Sequence, residues 1–147
     1  MFKHILIPTD GSPTAQKAVK AGLRFAREIG AKVTAYHALD HPLTHINNEG
    51  YTIDPTLRDQ FAREARKAAQ GRLDAIGKVA TAAGVVFHSE LAEADTPYKG
   101  IVDAARKHRC DVIFMASHGR RGVTGLLMGS VTHQVLTHCT TPVLVYR

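Results

Sequence analysis

Asp111-Val112-Ile113-Phe114-Met115-Ala116-Ser117-His118-Gly119, continuing through Arg120-Arg121-Gly122-Val123-Thr124-Gly125-Leu126-Leu127-Met128-Gly129-Ser130-Val131, is the stretch from which the fold can be read. The run from Asp111 to Met115 is apolar without interruption after its first residue. A strand of that kind needs cover on both faces, which is the condition of a parallel sheet. Glycines at 119, 122, 125 and 129 follow, and then a helix-like segment. Glycine lets backbone N–H groups approach an anion with no Cβ in the way, and the next helix points its positive dipole end at the same place. The stretch therefore reads as strand, phosphate-sized loop, helix.

Working outward, the same alternation repeats. Residues 2 to 8 read as a buried strand apart from Lys3 and His4. Asp10-Gly11-Ser12-Pro13 then opens a helix, with Ser12 at the N-cap and Pro13 at the first helical position. Its apolar stripe is Ala15, Ala18, Val19, Gly22, Ala26 and Ile29, and Gly30 ends it. Val33 to Ala38 is a second strand, and the polar residues from Leu39 to Thr52 form the longest loop. A second helix starts at Asp54-Pro55, carries Leu57, Phe61, Ala65, Ala68, Ile76 and Val79 on one face, and ends by Gly84. Val85 to Leu91 is the third strand. Thr96-Pro97 caps a third helix with Tyr98, Ile101, Val102 and Ala105 inward. A fourth helix runs from Ser130 to about His138, and Pro142 to Tyr146 is the fifth strand.

Five strands alternating with four helices predict a single α/β domain over residues 1–147. Each crossover is right-handed and lays its helix on the sheet, giving a three-layer, doubly wound, five-stranded parallel sheet; with the common order 3-2-1-4-5 this is a Rossmann-like nucleotide-binding fold. In such a sheet ligands bind beyond the carboxyl ends of the strands where the order reverses, here between the first and fourth. Pro8, Thr9 and Asp10 leave the first strand at that point and the glycine loop leaves the fourth, so two separately noticed segments converge. Asp10 suits a ribose hydroxyl or a magnesium ion, or else only an Asx turn into the first helix. Ser130 suits a phosphate as well as an N-cap. His118, Arg120 and Arg121 bring positive or potentially positive groups. Three helices start with a cap followed by proline, but the fourth starts at Gly129-Ser130 and keeps all its leading N–H donors, as an anion-holding helix should.

Composition excludes several classes. The 147 residues are 44% hydrophobic and 22% charged, which is ordinary for a globular domain. No apolar run is long enough to span a membrane and the start is too short for a signal peptide, so a cytoplasmic location is expected. The net charge of +6 suits an anionic ligand. Basic residues such as Arg58, Arg63, Arg66, Lys67 and Arg72 alternate with Asp59, Glu64 and Asp74, with Phe61 the lone aromatic among them, so nucleic acid is not an expected partner. Cys110 and Cys139 lack metal-type spacing and read as reduced thiols. His37, His41 and His45 are spaced as one helix face, yet Pro42 and the loop composition deny that helix, and no metal site is expected. G-x-G-x-x-G, P-loop and G-x-S-x-G signatures are absent. Ser117 and His118 are adjacent, which does not make a catalytic dyad, and no catalytic residue is assigned.

Ile5-Leu6-Ile7-Pro8-Thr9-Asp10-Gly11-Ser12, Asp111 to Arg120, Leu127-Met128-Gly129-Ser130-Val131 and Thr141-Pro142-Val143-Leu144-Val145 together resemble a single-domain universal stress protein from end to end. The ATP-binding branch of that family carries G-x-x-G, nine residues, then G-S or G-T. Gly119, Gly129 and Ser130 match it, while Ala116 stands at the first glycine. The resemblance implies a stress-response regulatory or sensor protein that binds ATP, with or without Mg2+, and hydrolyses it slowly or not at all. It places adenine near Pro8, Thr9, Asp10, Ala38 and Met115. Ribose and phosphates fall near Ala116, His118, Gly119, Gly129, Ser130, Val131 and Thr132. It also implies a homodimer through the last strand, and Val143 to Tyr146 independently reads as an apolar edge strand that needs covering. Ala116 keeps open the alternative of a nucleotide-free dimeric interaction module.

Overall fold

The computed structural model describes residues 1–39, 54–119 and 128–147. Its elements are β1 (His4–Pro8), α1 (Pro13–Ile29), β2 (Lys32–Leu39), α2 (Pro55–Ala82), β3 (Phe87–Glu93), α3 (Pro97–Lys107), β4 (Val112–Ala116), α4 (Ser130–His138) and β5 (Val143–Tyr146). The strands form one parallel sheet in the order β3-β2-β1-β4-β5, the expected doubly wound arrangement.

Alternation along the central strands builds both cores at once. Ile5 and Ile7 of β1 pack with Val112, Phe114 and Ala116 of β4 under α1, which contributes Ala18, Val19, Leu23 and Ala26. Leu6, Tyr36, Ile113 and Met115 face the other way, against Ile101, Ala104 and Ala105 of α3 and Val135 of α4. β1 and β4 are buried along their whole length, which is why their sequences show no polar alternation. β3 lies at one edge and is only half covered, and its polar residues fall there.

Three boundaries and faces differ from the sequence reading. The buried face of α2 is Ala69, Leu73 and Ala80, with Ile76 half-buried, whereas Ala68 is exposed and Leu57, Phe61 and Val79 are 45%, 47% and 56% exposed. The core stripe continues the four-residue spacing from Ala65 to Ala69 and Leu73 rather than stepping to Ala68. Ile29, expected inward, is 40% exposed at the last position of α1. β3 begins two residues later than expected, because Val85 N–H bonds back to Ala80 O and completes the end of α2, leaving Val86 to present its carbonyl to Val33. Gly77 lies within α2 where a Cβ would press on the Phe87 ring at 3.0 Å. The loop expected over Leu39 to Thr52 lies, after Leu39, outside the described residues.

Candidate functional site

Past Pro8, the Thr9 N–H bonds to Tyr36 O at 2.9 Å, so the chain stays on the sheet for one more residue. It then turns. Asp10 Oδ1 accepts from Ser12 N–H at 2.9 Å and Thr9 Oγ1 accepts from Gly11 N–H at 3.2 Å, which is the Asx turn open to it from sequence. Ser12 in turn caps α1 by accepting from Ala15 N–H at 3.1 Å. The other carboxylate oxygen of Asp10 faces the loop after β4. A Cβ built on Gly119 would stand 2.6 Å from Asp10 Oδ2, so the absence of a side chain at 119 is what lets the two segments touch.

The far side of the crevice is equally tied. Ser117 N–H bonds to Tyr146 O, and Gly129 N–H bonds to Ser117 O at 2.8 Å. A Cβ on Gly129 would meet Ser117 O at 3.1 Å and the Cα of His118 at 3.2 Å, closer than that backbone tolerates without shifting. Thr132, 2% exposed, donates its hydroxyl to Ala116 O at 2.9 Å and lies within 3.3 Å of Ser117 O. The first turn of α4 is thus fastened to the end of β4. The N-cap of α4 is Gly129 rather than Ser130, which enters as the first helical residue with an exposed side chain. No side chain caps α4, nor α3, where Thr96 makes no capping bond contrary to expectation, whereas Ser12 caps α1 and Asp54 caps α2; α1, α2 and α3 carry proline in the first turn and α4 does not. The opening amides of α4 keep the donors that the positive end of a helix offers to an anion.

All the described candidates therefore gather at the carboxyl ends of β2, β1 and β4, at the point where strand order reverses. Pro8, Thr9 and Asp10 follow β1, and Ala38 is the penultimate residue of β2. Met115 and Ala116 end β4, His118 and Gly119 come next, and Gly129, Ser130, Val131 and Thr132 open α4. Met115 is buried and Ala38 half-buried, both on the α3/α4 face. Arg120, Arg121, Gly122 and Gly125 lie outside the described residues, as do His41 and His45. Among the described residues no group of three or more His, Cys, Asp or Glu side chains is arranged to hold a metal ion.

Two residues enter that sequence reading did not assign. Ser117, 5% exposed, has its Oγ 2.9 Å from His118 Nδ1, a hydrogen bond between neighbours that orients the imidazole at the crevice. Adjacency alone gave no sign of it. Arg72 reaches from α2 across Gly11: a Cβ on Gly11, whose φ is +76°, would lie 2.8 Å from Arg72 Cδ. Asp10, Gly11, Ser12, Pro13 and Arg72 line a cavity of about 310 Å³ beside the crevice. Sixty-one residues of separation hide that contact from any local pattern.

The chain matches the Universal stress protein family over residues 1–147. It is similar to Universal stress protein MJ0531 of Methanocaldococcus jannaschii, 33% identical over all of this chain and 83% of that protein. Among solved structures it is similar to protein MJ0577 of the same organism, at 27% identity and a TM-score of 0.82, covering 99% of this chain and 95% of that one. A universal stress protein of Archaeoglobus fulgidus, solved in complex with dAMP, shares the fold at 20% identity and a TM-score of 0.68, over 100% of this chain and 98% of that one.

Proposed function

Because this chain belongs to the universal stress protein family, we propose that it is an ATP-binding regulatory or sensor protein of the stress response, with slow or absent hydrolysis. The observation that carries the reading is the meeting of Asp10 and Gly119 over the ends of β1 and β4, beside the uncapped start of α4. Glycine at 119 and 129 is what lets the crevice segments close up, since a Cβ at 119 would press on Asp10 Oδ2 and one at 129 on the backbone of Ser117 and His118. Adenine would rest near Pro8, Thr9, Asp10, Ala38 and Met115, with the ribose and phosphates toward Ala116, His118, Gly119, Gly129 and the opening amides of α4. Mg2+, where it accompanies the phosphates, would be shared with the Asp10 carboxylate and would offset its charge. That an A. fulgidus protein of the same fold holds dAMP supports an adenine nucleotide as the ligand class. In this reading nucleotide occupancy rather than turnover is the regulatory event.

The homodimer belongs to the same reading. β5 pairs with β4 on one side only, and all four of its residues are half-buried, leaving an edge that a second copy would cover. No helix among the described residues is long and apolar enough to cross a membrane, and a cytoplasmic location is part of the same proposal. The alternative, a nucleotide-free dimeric module, rests on Ala116. Denaturing the purified protein and analysing the extract by chromatography and mass spectrometry, alongside calorimetric titration of ATP into stripped protein, separates the two. Recovered adenine nucleotide or saturable heat supports the proposal, and neither at millimolar ATP rejects it. Sedimentation should give twice the chain mass of 16.0 kDa.

A further inference from the structure

The pole of the sheet opposite Asp10 and Gly119, where the strands begin, contains a cavity of about 410 Å³. Its charged lining is of one sign. Lys3 precedes β1, Arg27 comes from the last turn of α1 and Lys32 starts β2, while Ala31, Val85 and Val86 supply an apolar wall. Lys3 and Lys32 are fixed side by side, since Lys32 N–H bonds to Lys3 O at 3.0 Å. Among the described residues none of these three cations forms an ion pair. The carboxylate of Asp111 serves the backbone instead, accepting from Lys3 N–H at 2.8 Å and His4 N–H at 3.1 Å.

Like charges on neighbouring strands repel, and unpaired cations around a concavity raise the local potential. Arg27 has a local role, since a cation favours the C-terminal end of a helix. Lys3 and Lys32 have none of that kind, and all three side chains are exposed, so an anion placed among them would be attracted by each. The wall selects among anions. Val86 is 63% exposed at the cavity, so a ligand that uses the whole site brings an apolar group as well as negative charge. No aromatic residue lines it, which removes the stacking platform a single-stranded nucleic acid requires.

We propose that this pole docks an acidic peptide segment of a protein partner, its carboxylates on Lys3, Arg27 and Lys32 and an aliphatic side chain against Val85 and Val86. Charge complementarity selects this occupant, whatever fills the opposite pole. The test uses the full chain and fluorescence anisotropy of a fluorescein-labelled peptide of glutamates flanking one leucine. Saturable binding is expected, weakened by added salt. Arg27→Glu with Lys32→Glu should weaken it by about tenfold or more, as loss of charge-assisted contacts requires. Lys17→Glu with Lys20→Glu, the same charge change on exposed α1 positions, should leave it within about twofold. Circular dichroism melts establish that each variant is folded, and Arg27→Gln with Lys32→Gln replaces the charge reversal if that pair is not. Wild-type affinity in the Arg27/Lys32 variants overturns the proposal. So does equal weakening by the Lys17/Lys20 pair, which would mean net charge alone, or displacement of the peptide by an equal concentration of an oligonucleotide.

Discussion

Replacing Ala116 by glycine restores the family's first motif glycine, and its consequence can be worked from the position. Ala116 ends β4 at 7% exposure, and its methyl packs on the α1 face with Ile5 and Phe114, away from the α3/α4 face on which Met115 and Ala38 lie. Its backbone needs no glycine. It is paired with Tyr146 and accepts the Thr132 hydroxyl, and Arg109 is the one non-glycine with positive φ among the described residues. Ala116→Gly should therefore cost stability without opening the crevice. The lost methyl is worth about 0.8 kcal/mol, and the added freedom of the unfolded chain about 0.5–1 kcal/mol. Together these amount to roughly 1.5 kcal/mol, a fall of about 3–6 °C in Tm for a chain of this size. Calorimetric titration should find ATP affinity within about threefold of the parent, less than 1 kcal/mol. A variant that binds ATP more than about tenfold tighter would refute the reasoning, because the methyl would then be facing the phosphates and not the core.

Thr132→Val removes the hydroxyl that fastens α4 to β4 and leaves buried carbonyls with one partner fewer; a loss of about 1–2 kcal/mol in chemical denaturation and a weaker ATP titration are expected. If stability falls but ATP affinity does not, the position of α4 is not what forms the site. His4 is buried, donates to or accepts from Thr34 Oγ1 at 2.8 Å, and has its pKa lowered by burial first and then by Lys32 and His108, with His88 adding and Asp111 opposing. The folded state thus binds fewer protons than the unfolded one, so this contribution is complete above about pH 6.5 and is lost as pH falls from there toward the folded pKa. Melts at pH 7.5 and 5.5 should show the loss, and His4→Gln should flatten it; an equally steep dependence in the variant would assign it elsewhere. Glu90 acts in a lower window. Burial would raise it, but bonds from Lys107 and His108 prevail and hold it below 4.5, so its contribution disappears only as pH falls from there through its folded value. Cys110 is buried, and burial, aided by Asp111, pushes its thiol up to about 12, whereas Cys139 is partly exposed. A thiol reagent at pH 8 should modify one cysteine in the native protein and two after denaturation, and rapid modification of both would contradict the packing around Cys110.

The parts of this fold visible in the sequence are those whose burial is symmetric. β1 and β4 have cover on both faces, and their uninterrupted apolar runs say so without reference to neighbours. The helix starts were equally plain, because Ser12-Pro13, Asp54-Pro55 and Thr96-Pro97 place residues with local steric and capping preferences where the chain must turn. α2 was harder. Over 28 residues, two apolar series that share Ala65 and Ile76 and differ by one position at Ala68 or Ala69 and at Val79 or Ala80 both follow helical spacing, and only the position of the sheet under Ala69 and Leu73 decides between them. β3 shifted for a related reason: Val85 has strand propensity, but its N–H is claimed by Ala80 at the end of the preceding helix.

At the crevice the same division separates what spacing can express from what only the fold assembles. Gly119, Gly129 and Ser130 stand out by their match to the family's motif, and the structure gives two of them a shared physical reason: each lies where another segment passes too near for a Cβ. The Gly119 contact with Asp10 joins residues 109 positions apart in the chain, so the glycine could be seen but its purpose could not. Arg72 is the converse case. Nothing about an arginine among alternating charges on a long helix distinguishes it, yet its side chain is the one that crosses Gly11 and closes the cavity beside Asp10. A residue's type announces a function when its geometry is demanding, as for glycine, and stays silent when a flexible side chain merely reaches. Variation at Arg72 should accordingly change ligand affinity with little effect on folding, while variation at Gly119 and Gly129 should disturb both.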